Sequence, residues 1–95
     1  MAGIRFEWDP PKERANRRRH GVSFGEAQGV FIDERALFMA DPDHSDDEDR
    51  FLLLGLGSRL RVLLVCHSYR EDERVIRIIS ARRATRAELH QYWNR

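Results

Sequence analysis

The residues best equipped for chemistry in this chain are its arginines and histidines. Of seventeen basic residues sixteen are Arg, with Lys12 the exception. A guanidinium stays charged at any accessible pH and grips phosphate through a planar, bidentate fork. Lys12–Arg19 holds five bases against one acid and runs directly into His20. Such a run serves either as a solvated face or as a phosphate-binding surface. Glu13 is the one acid spaced to pair with Arg17, Arg18 or Arg19, and unpaired Arg beside His suits phosphate contact. A second cluster, Arg82, Arg83 and Arg86, surrounds the start of the last helix, where free backbone N–H groups also attract an anion. Ion pairing with the acidic segment is the alternative use of these three.

Other candidates read more plainly. Asp41–Asp49 carries six acids and no Lys or Arg, but it lacks the central Gly of a calcium loop, and Leu52 stands where the bidentate Glu belongs. A capping box, Ser45 with Glu48, accounts for these residues better than a metal, and His44 reads as a surface histidine. Cys66 reads as a small buried hydrophobe. Cys66 and His67 are adjacent on a strand and face opposite sides of it, so they do not form a nucleophile pair. Tyr92 and Trp93 are core candidates first.

Those residues must be positioned by a small fold. Ninety-five residues allow one domain, 1–95, with 41% apolar and 35% charged residues and a formal net charge of +1. The near-neutral total hides a net of −4 over residues 1–50 and +5 over 51–95. A single cysteine excludes an internal disulfide and a thiolate zinc cluster. The apolar runs are far shorter than a membrane span, and the first residues lack the apolar core of a signal peptide, so the chain reads as cytoplasmic.

Ile4, Phe6 and Trp8 alternate with polar residues as a strand. Asp9 followed by Pro10 and Pro11 predicts a helix start, and Gly21 its stop. Ser23/Glu26 predicts a short helix over Phe24–Gly29, and Thr85/Glu88 one running to Trp93, both as capping boxes. Strands are expected at Ala36–Met39, Arg50–Gly57, Leu60–His67 and Val75–Ser80, the last three linked as hairpins. The fold class is α+β: a largely antiparallel sheet with two N-terminal helices and one C-terminal helix.

Taken together, FEWDPPKERANRRRHGVSFGEA, DPDHSDDEDR and RIISARRATRAEL resemble the BrnT toxins of bacterial type II toxin–antitoxin systems. The resemblance runs from Phe6 to Tyr92 through FEWDP, Asn16 before His20–Val22, His44-Ser45 with Glu48 and Arg50, and Ile79–Thr85. Two departures are Arg19, where Lys commonly precedes His-Gly, and Cys66-His67-Ser68, where the family usually has Val, Tyr and Thr. The resemblance implies a RelE-like fold, ribonuclease activity that arrests translation, and neutralisation by a BrnA-type ribbon-helix-helix antitoxin, through which alone DNA is contacted. It implies catalytic roles for His20, Arg50, Arg82 and Tyr92, while the two basic clusters themselves point to RNA held by Lys12, Arg17, Arg18, Arg19, Arg83 and Arg86. RNA supplies its own nucleophile, the 2′-OH, so the protein must orient the attack, stabilise charge on the phosphate and move a proton. That scheme requires no metal and no cofactor. The alternative is a non-catalytic module on the same fold, binding nucleic acid or a partner.

Overall fold

The computed structural model describes residues 3–40 and 49–95. The proposed capping box at Ser45/Glu48 and the acidic run around His44 therefore lie outside the described residues. In chain order the elements are β1 (Arg5–Glu7), α1 (Pro10–His20), α2 (Phe24–Ala27), a 3₁₀ helix (Gln28–Ile32), β2 (Leu37–Ala40), β3 (Phe51–Leu56), β4 (Val62–Arg70), β5 (Val75–Arg83) and α3 (Arg86–Trp93). The five strands form one sheet in the order β1-β5-β4-β3-β2. Three pairings are antiparallel, and β1 joins the far edge parallel to β5.

The helix ends follow their sequence signals with two exceptions. Gly21 terminates α1 in the left-handed region at φ 70°, its N–H bonded to the Arg17 carbonyl. Asp9 occupies the N-cap position of α1 but makes no side-chain cap bond, because Pro10 and Pro11 remove two of the N–H groups a cap would satisfy. Thr85 and Glu88 close a complete capping box on α3. At α2 only half of the expected box forms: Ser23 accepts from the Glu26 N–H, whereas the Glu26 carboxylate turns away to Arg61, with contacts of 2.7 and 2.9 Å. A buried carboxylate is satisfied better by a guanidinium than by one N–H.

The two sheet faces are covered unequally. On one, Val22, Phe24, Ala27 and Val30 pack over Leu63, Val65, Ile78 and Ala81, with Phe6, Trp8 and Phe31 at the margin. On the other, Tyr92 of α3 packs on Leu54, Val62 and Leu64. Trp93, expected in the core beside Tyr92, is instead 55% exposed. Adjacent helical residues point about 100° apart, and only one of the two faces the sheet. Gly29 lets the 3₁₀ helix touch the β3–β4 hairpin, since a Cβ there would meet the Ser58 nitrogen at 2.5 Å.

β4 and β5 run three residues beyond their expected ends, to Arg70 and Arg83. Ladder bonds such as those pairing Tyr69 with Ile76 and Arg70 with Val75 use backbone alone, so the polarity of these residues does not stop the strand. The hairpin closes through Glu71, Asp72 and Glu73, all at positive φ. A bulge interrupts the β4–β5 ladder: Cys66 pairs with Ser80 but His67 with Ile78, leaving Ile79 unmatched. Beyond it the alternation of β5 is inverted, so Ile78 and Ala81 share a core face and Arg82 points to the other.

Candidate active site

The sheet edge at the end of β5 assembles the cationic surface. β1 pairs with residues 75–77, and among the described residues the later part of β5 has no strand neighbour on that side. Asn16 takes the strand's place. Its Nδ2 donates to the carbonyls of Ala81 at 2.8 Å and Val22 at 2.9 Å, and its Oδ1 accepts from the Ala81 N–H at 3.2 Å. Asn16 is thus the one buried residue of an otherwise polar helix, while Ala15, its small apolar neighbour, is exposed.

His20 lies four residues beyond Asn16, on the same helix stripe. The Arg61 guanidinium donates to the carbonyl of Gly21, the residue after His20, at 3.1 Å, and Arg61 stands two residues before Leu63, which pairs with Arg83, so the end of α1 and the end of β5 meet at one corner. His20 is half-buried, and Arg83 is exposed.

Arg82 belongs to the opposite face. Its Nη1 and Nη2 hold the Glu88 carboxylate at 2.9 and 3.0 Å, and Nη1 also donates to the Arg83 carbonyl at 3.2 Å. Three of five guanidinium N–H donors are thereby used, leaving two for a phosphate. The hydrogen bond from Arg82, which outweighs the effect of burial, holds the Glu88 carboxyl below its ordinary pKa. Among the described residues the partner of Arg82 is therefore Glu88 of α3.

The other two expected catalytic residues do not join this corner. Arg82 lies opposite Leu64, which pairs with Leu54, whereas Arg50 lies four residues before Leu54. At about 3.3 Å per residue and 4.8 Å per strand, the two α-carbons are about 16 Å apart, so their guanidiniums meet only if both side chains extend towards each other, and that of Arg82 is held by Glu88. Among the described residues the buried Nε of Arg50 finds no hydrogen-bond partner. Tyr92 is 1% exposed, and its hydroxyl donates to Asp33 Oδ2 at 2.6 Å. Burial, then Asp33, pushes its pKa up. Burial also acts to raise the Asp33 carboxyl, but hydrogen bonds from Tyr92 and the Leu56 and Arg35 amides together hold it below its ordinary value. Tyr92 is thus a structural tie between α3, β3 and the residues after the 3₁₀ helix.

Of the expected RNA-binding residues, Lys12, Arg17, Arg18, Arg19, Arg83 and Arg86 are all exposed. Arg17 is paired with Glu13 at 3.1 Å; among the described residues the other five form no ion pair. Cys66 is buried. His67 lies on the opposite face, fully buried among Phe31, Phe38, Phe51 and Tyr69. Burial drives its pKa down to about 4 against a weaker opposing bond to the Val65 carbonyl. It is a neutral core histidine. Asn16 and Glu88, which organise the corner, are legible in the sequence as the Asn before His20–Val22 and as half of a capping box, and neither signal tells what the side chain holds.

An α+β domain with a five-stranded, mostly antiparallel sheet and an arginine-rich corner at its edge is the class of protein that fold and site define. The family model described as "Ribonuclease toxin, BrnT, of type II toxin-antitoxin system" matches residues 8–88, and the chain belongs to that family. Among solved structures, the Brucella abortus ribonuclease toxin BrnT, at 1.1 Å resolution, is similar with a TM-score of 0.63 and 21% identity, over 87% of this chain and 99% of that one. No curated protein matches the chain. Among the described residues no helix is long and apolar enough to cross a membrane.

Proposed function

We propose that this chain is a metal-independent endoribonuclease, a RelE-like toxin domain over residues 1–95 that cleaves RNA in the cytoplasm, arrests translation and is neutralised by a BrnA-type ribbon-helix-helix antitoxin. The observation that carries the reading is the corner where the end of α1, with His20, is tied through Gly21 and Arg61 to the end of β5, from which Arg82 and Arg83 project to opposite sides. His20 takes the proton of the RNA 2′-OH, whose oxygen attacks the adjacent phosphorus to form a 2′,3′-cyclic phosphate, while the P–O5′ bond breaks and the leaving 5′-oxygen takes a proton from water to become a hydroxyl. Arg83 and the two remaining donors of Arg82 stabilise the charge that builds on the phosphate. Glu88 positions Arg82, and Asn16 holds α1 so that His20 stays in register. Lys12, Arg18, Arg19 and Arg86 hold flanking phosphates, and Arg50 meets the RNA farther along the sheet.

The test is cleavage of RNA by purified protein in EDTA, beside His20→Ala and Arg83→Ala. Cleavage that persists in EDTA and disappears in His20→Ala is the expected result. Salt-sensitive RNA binding with no cleavage would reduce the protein to a binding module.

A further inference from the structure

The corner opens onto a shallow groove of about 250 Å³, room for a single nucleoside. Trp93 and Leu89 of α3 and Leu60 at the tip of the β3–β4 hairpin wall it, exposed by 55%, 38% and 77%. Arg61 and Arg83 complete its polar lining. Leu89 and Trp93 are four residues apart and share a face of α3, whereas Tyr92 packs on the sheet. The Trp93 ring meets the Tyr92 ring at 83°, centroids 4.8 Å apart. That contact fixes the tilt of the indole while more than half of the residue stays open to solvent.

Arg83 belongs both to the corner and to the groove. A phosphate held by Arg83 carries a nucleoside on each side, so one flanking base falls within reach of Trp93. An exposed indole stacks a base through its π face, and apolar side chains such as Leu60 and Leu89 enclose a base splayed from its neighbours. The polar lining decides which base. Arg61 spends three of its five N–H donors on Glu26 and the Gly21 carbonyl, which leaves both N–H groups of Nη1. Among the described residues Arg83 forms no ion pair. The described side chains that line the groove thus offer donors and no acceptor. Guanine presents two adjacent acceptors, O6 and N7, that match a guanidinium, whereas the amino groups of adenine and cytosine would meet no side-chain acceptor here.

We propose that this groove is a nucleobase subsite that sets the sequence preference of cleavage: Trp93 stacks the base beside the scissile phosphate, and the donor-only lining selects guanine. The inference rests on the ribonuclease reading above and deepens it by naming the nucleotide that the corner prefers. Trp93 is a specificity residue, while proton transfer and charge stabilisation stay with His20, Arg82 and Arg83.

Trp8, the other tryptophan, packs on Phe24, so Trp8→Phe leaves Trp93 as the sole indole reporter. Guanosine 3′-monophosphate should quench its fluorescence at a concentration at least about tenfold below that required of cytidine 3′-monophosphate. Two single-stranded oligouridylates, one carrying a single guanosine and the other a single cytidine, then serve as substrates. Wild type should favour the guanosine RNA by about tenfold or more in kcat/KM. Trp93→Ala should lower kcat/KM on that RNA by about tenfold or more, and Trp93→Phe, which keeps a flat face, should restore most of it. Circular dichroism verifies that both variants fold. Equal quenching by the two nucleotides, or none, overturns the subsite. So does a Trp93→Ala protein that cuts both RNAs as wild type does, which leaves the ribonuclease reading intact. If that variant also escapes inhibition by the protein of the neighbouring reading frame, the groove belongs to a protein partner instead. Guanosine-selective quenching in a protein that cuts no RNA keeps the subsite and overturns the ribonuclease reading. Should Trp93→Ala misfold, the quenching of Trp8→Phe and the guanosine preference of wild type decide the matter.

Discussion

The side-chain amide of Asn16 pairs with both backbone groups of Ala81, donating to its carbonyl at 2.8 Å and accepting from its N–H at 3.2 Å. A single side chain thereby imitates the strand that β5 lacks at its outer edge, and it fixes α1 against the sheet where helix α1 has no apolar face to do so.

Replacing Asn16 by Ala should cost about 3 kcal/mol, because buried backbone groups of Ala81 and Val22 lose their partners. Asn16→Asp should cost at least as much, since a carboxylate cannot donate to either carbonyl. Urea denaturation measures both. A loss below about 0.5 kcal/mol in both would show that α1 is held by other contacts.

The Glu26–Arg61 pair joins α2 to the start of β4 with the carboxylate side chain 3% and the guanidinium 31% exposed. Removing either partner is destabilising, but unequally. Glu26→Ala frees a guanidinium that reaches water, whereas Arg61→Met strands a buried carboxylate and should cost about 3 kcal/mol at neutral pH, the larger loss. Denaturation of both variants at pH 7 checks the order.

His67 makes the fold acid-sensitive. Its pKa falls from 6.5 to about 4 on folding, so below 6.5 the unfolded chain binds a proton that the native state refuses. Stability should therefore be fully present above pH 6.5 and decline towards pH 4, by up to about 3 kcal/mol from this residue alone. His67→Phe should flatten that decline. A His67→Phe profile parallel to wild type between pH 7 and 4 would remove His67 from the account.

Arg82 and Arg83 are neighbours with different expected phenotypes. Arg83→Ala should lower RNA cleavage at least about tenfold with no change in stability. Arg82→Ala should lower cleavage and also loosen α3, because Glu88 both caps that helix and holds the guanidinium. Arg82→Lys should rescue stability in part but not activity, since an ammonium lacks the planar fork that serves carboxylate and phosphate together. Thermal melts beside cleavage rates distinguish the two positions, and equal melting losses in both alanine variants would contradict the assignment.

Local signals in the sequence determined the elements themselves. Gly21 had to end α1 because its left-handed backbone suits glycine, Thr85 with Glu88 had to open α3, and the apolar runs around Leu53, Leu64 and Ile78 had to pair as hairpins because the loops between them are short. The cationic character of the corner was equally legible, since no fold can bury so many arginines without partners. What tertiary structure alone decided is where each arginine points and what it meets. Ile79 looks like any other β-branched strand residue, yet the bulge there inverts the alternation, sending Arg82 to the face of α3 and Glu88, and Arg83 to the side of His20. Arg50 lies about 16 Å from Arg82 between α-carbons, a separation set by strand register. Tyr92 and Trp93, adjacent and both aromatic, part company because the sheet lies on one side of α3. Period and propensity act within a few residues, whereas register, bulges and ion-pair choice depend on groups brought together from distant parts of the chain.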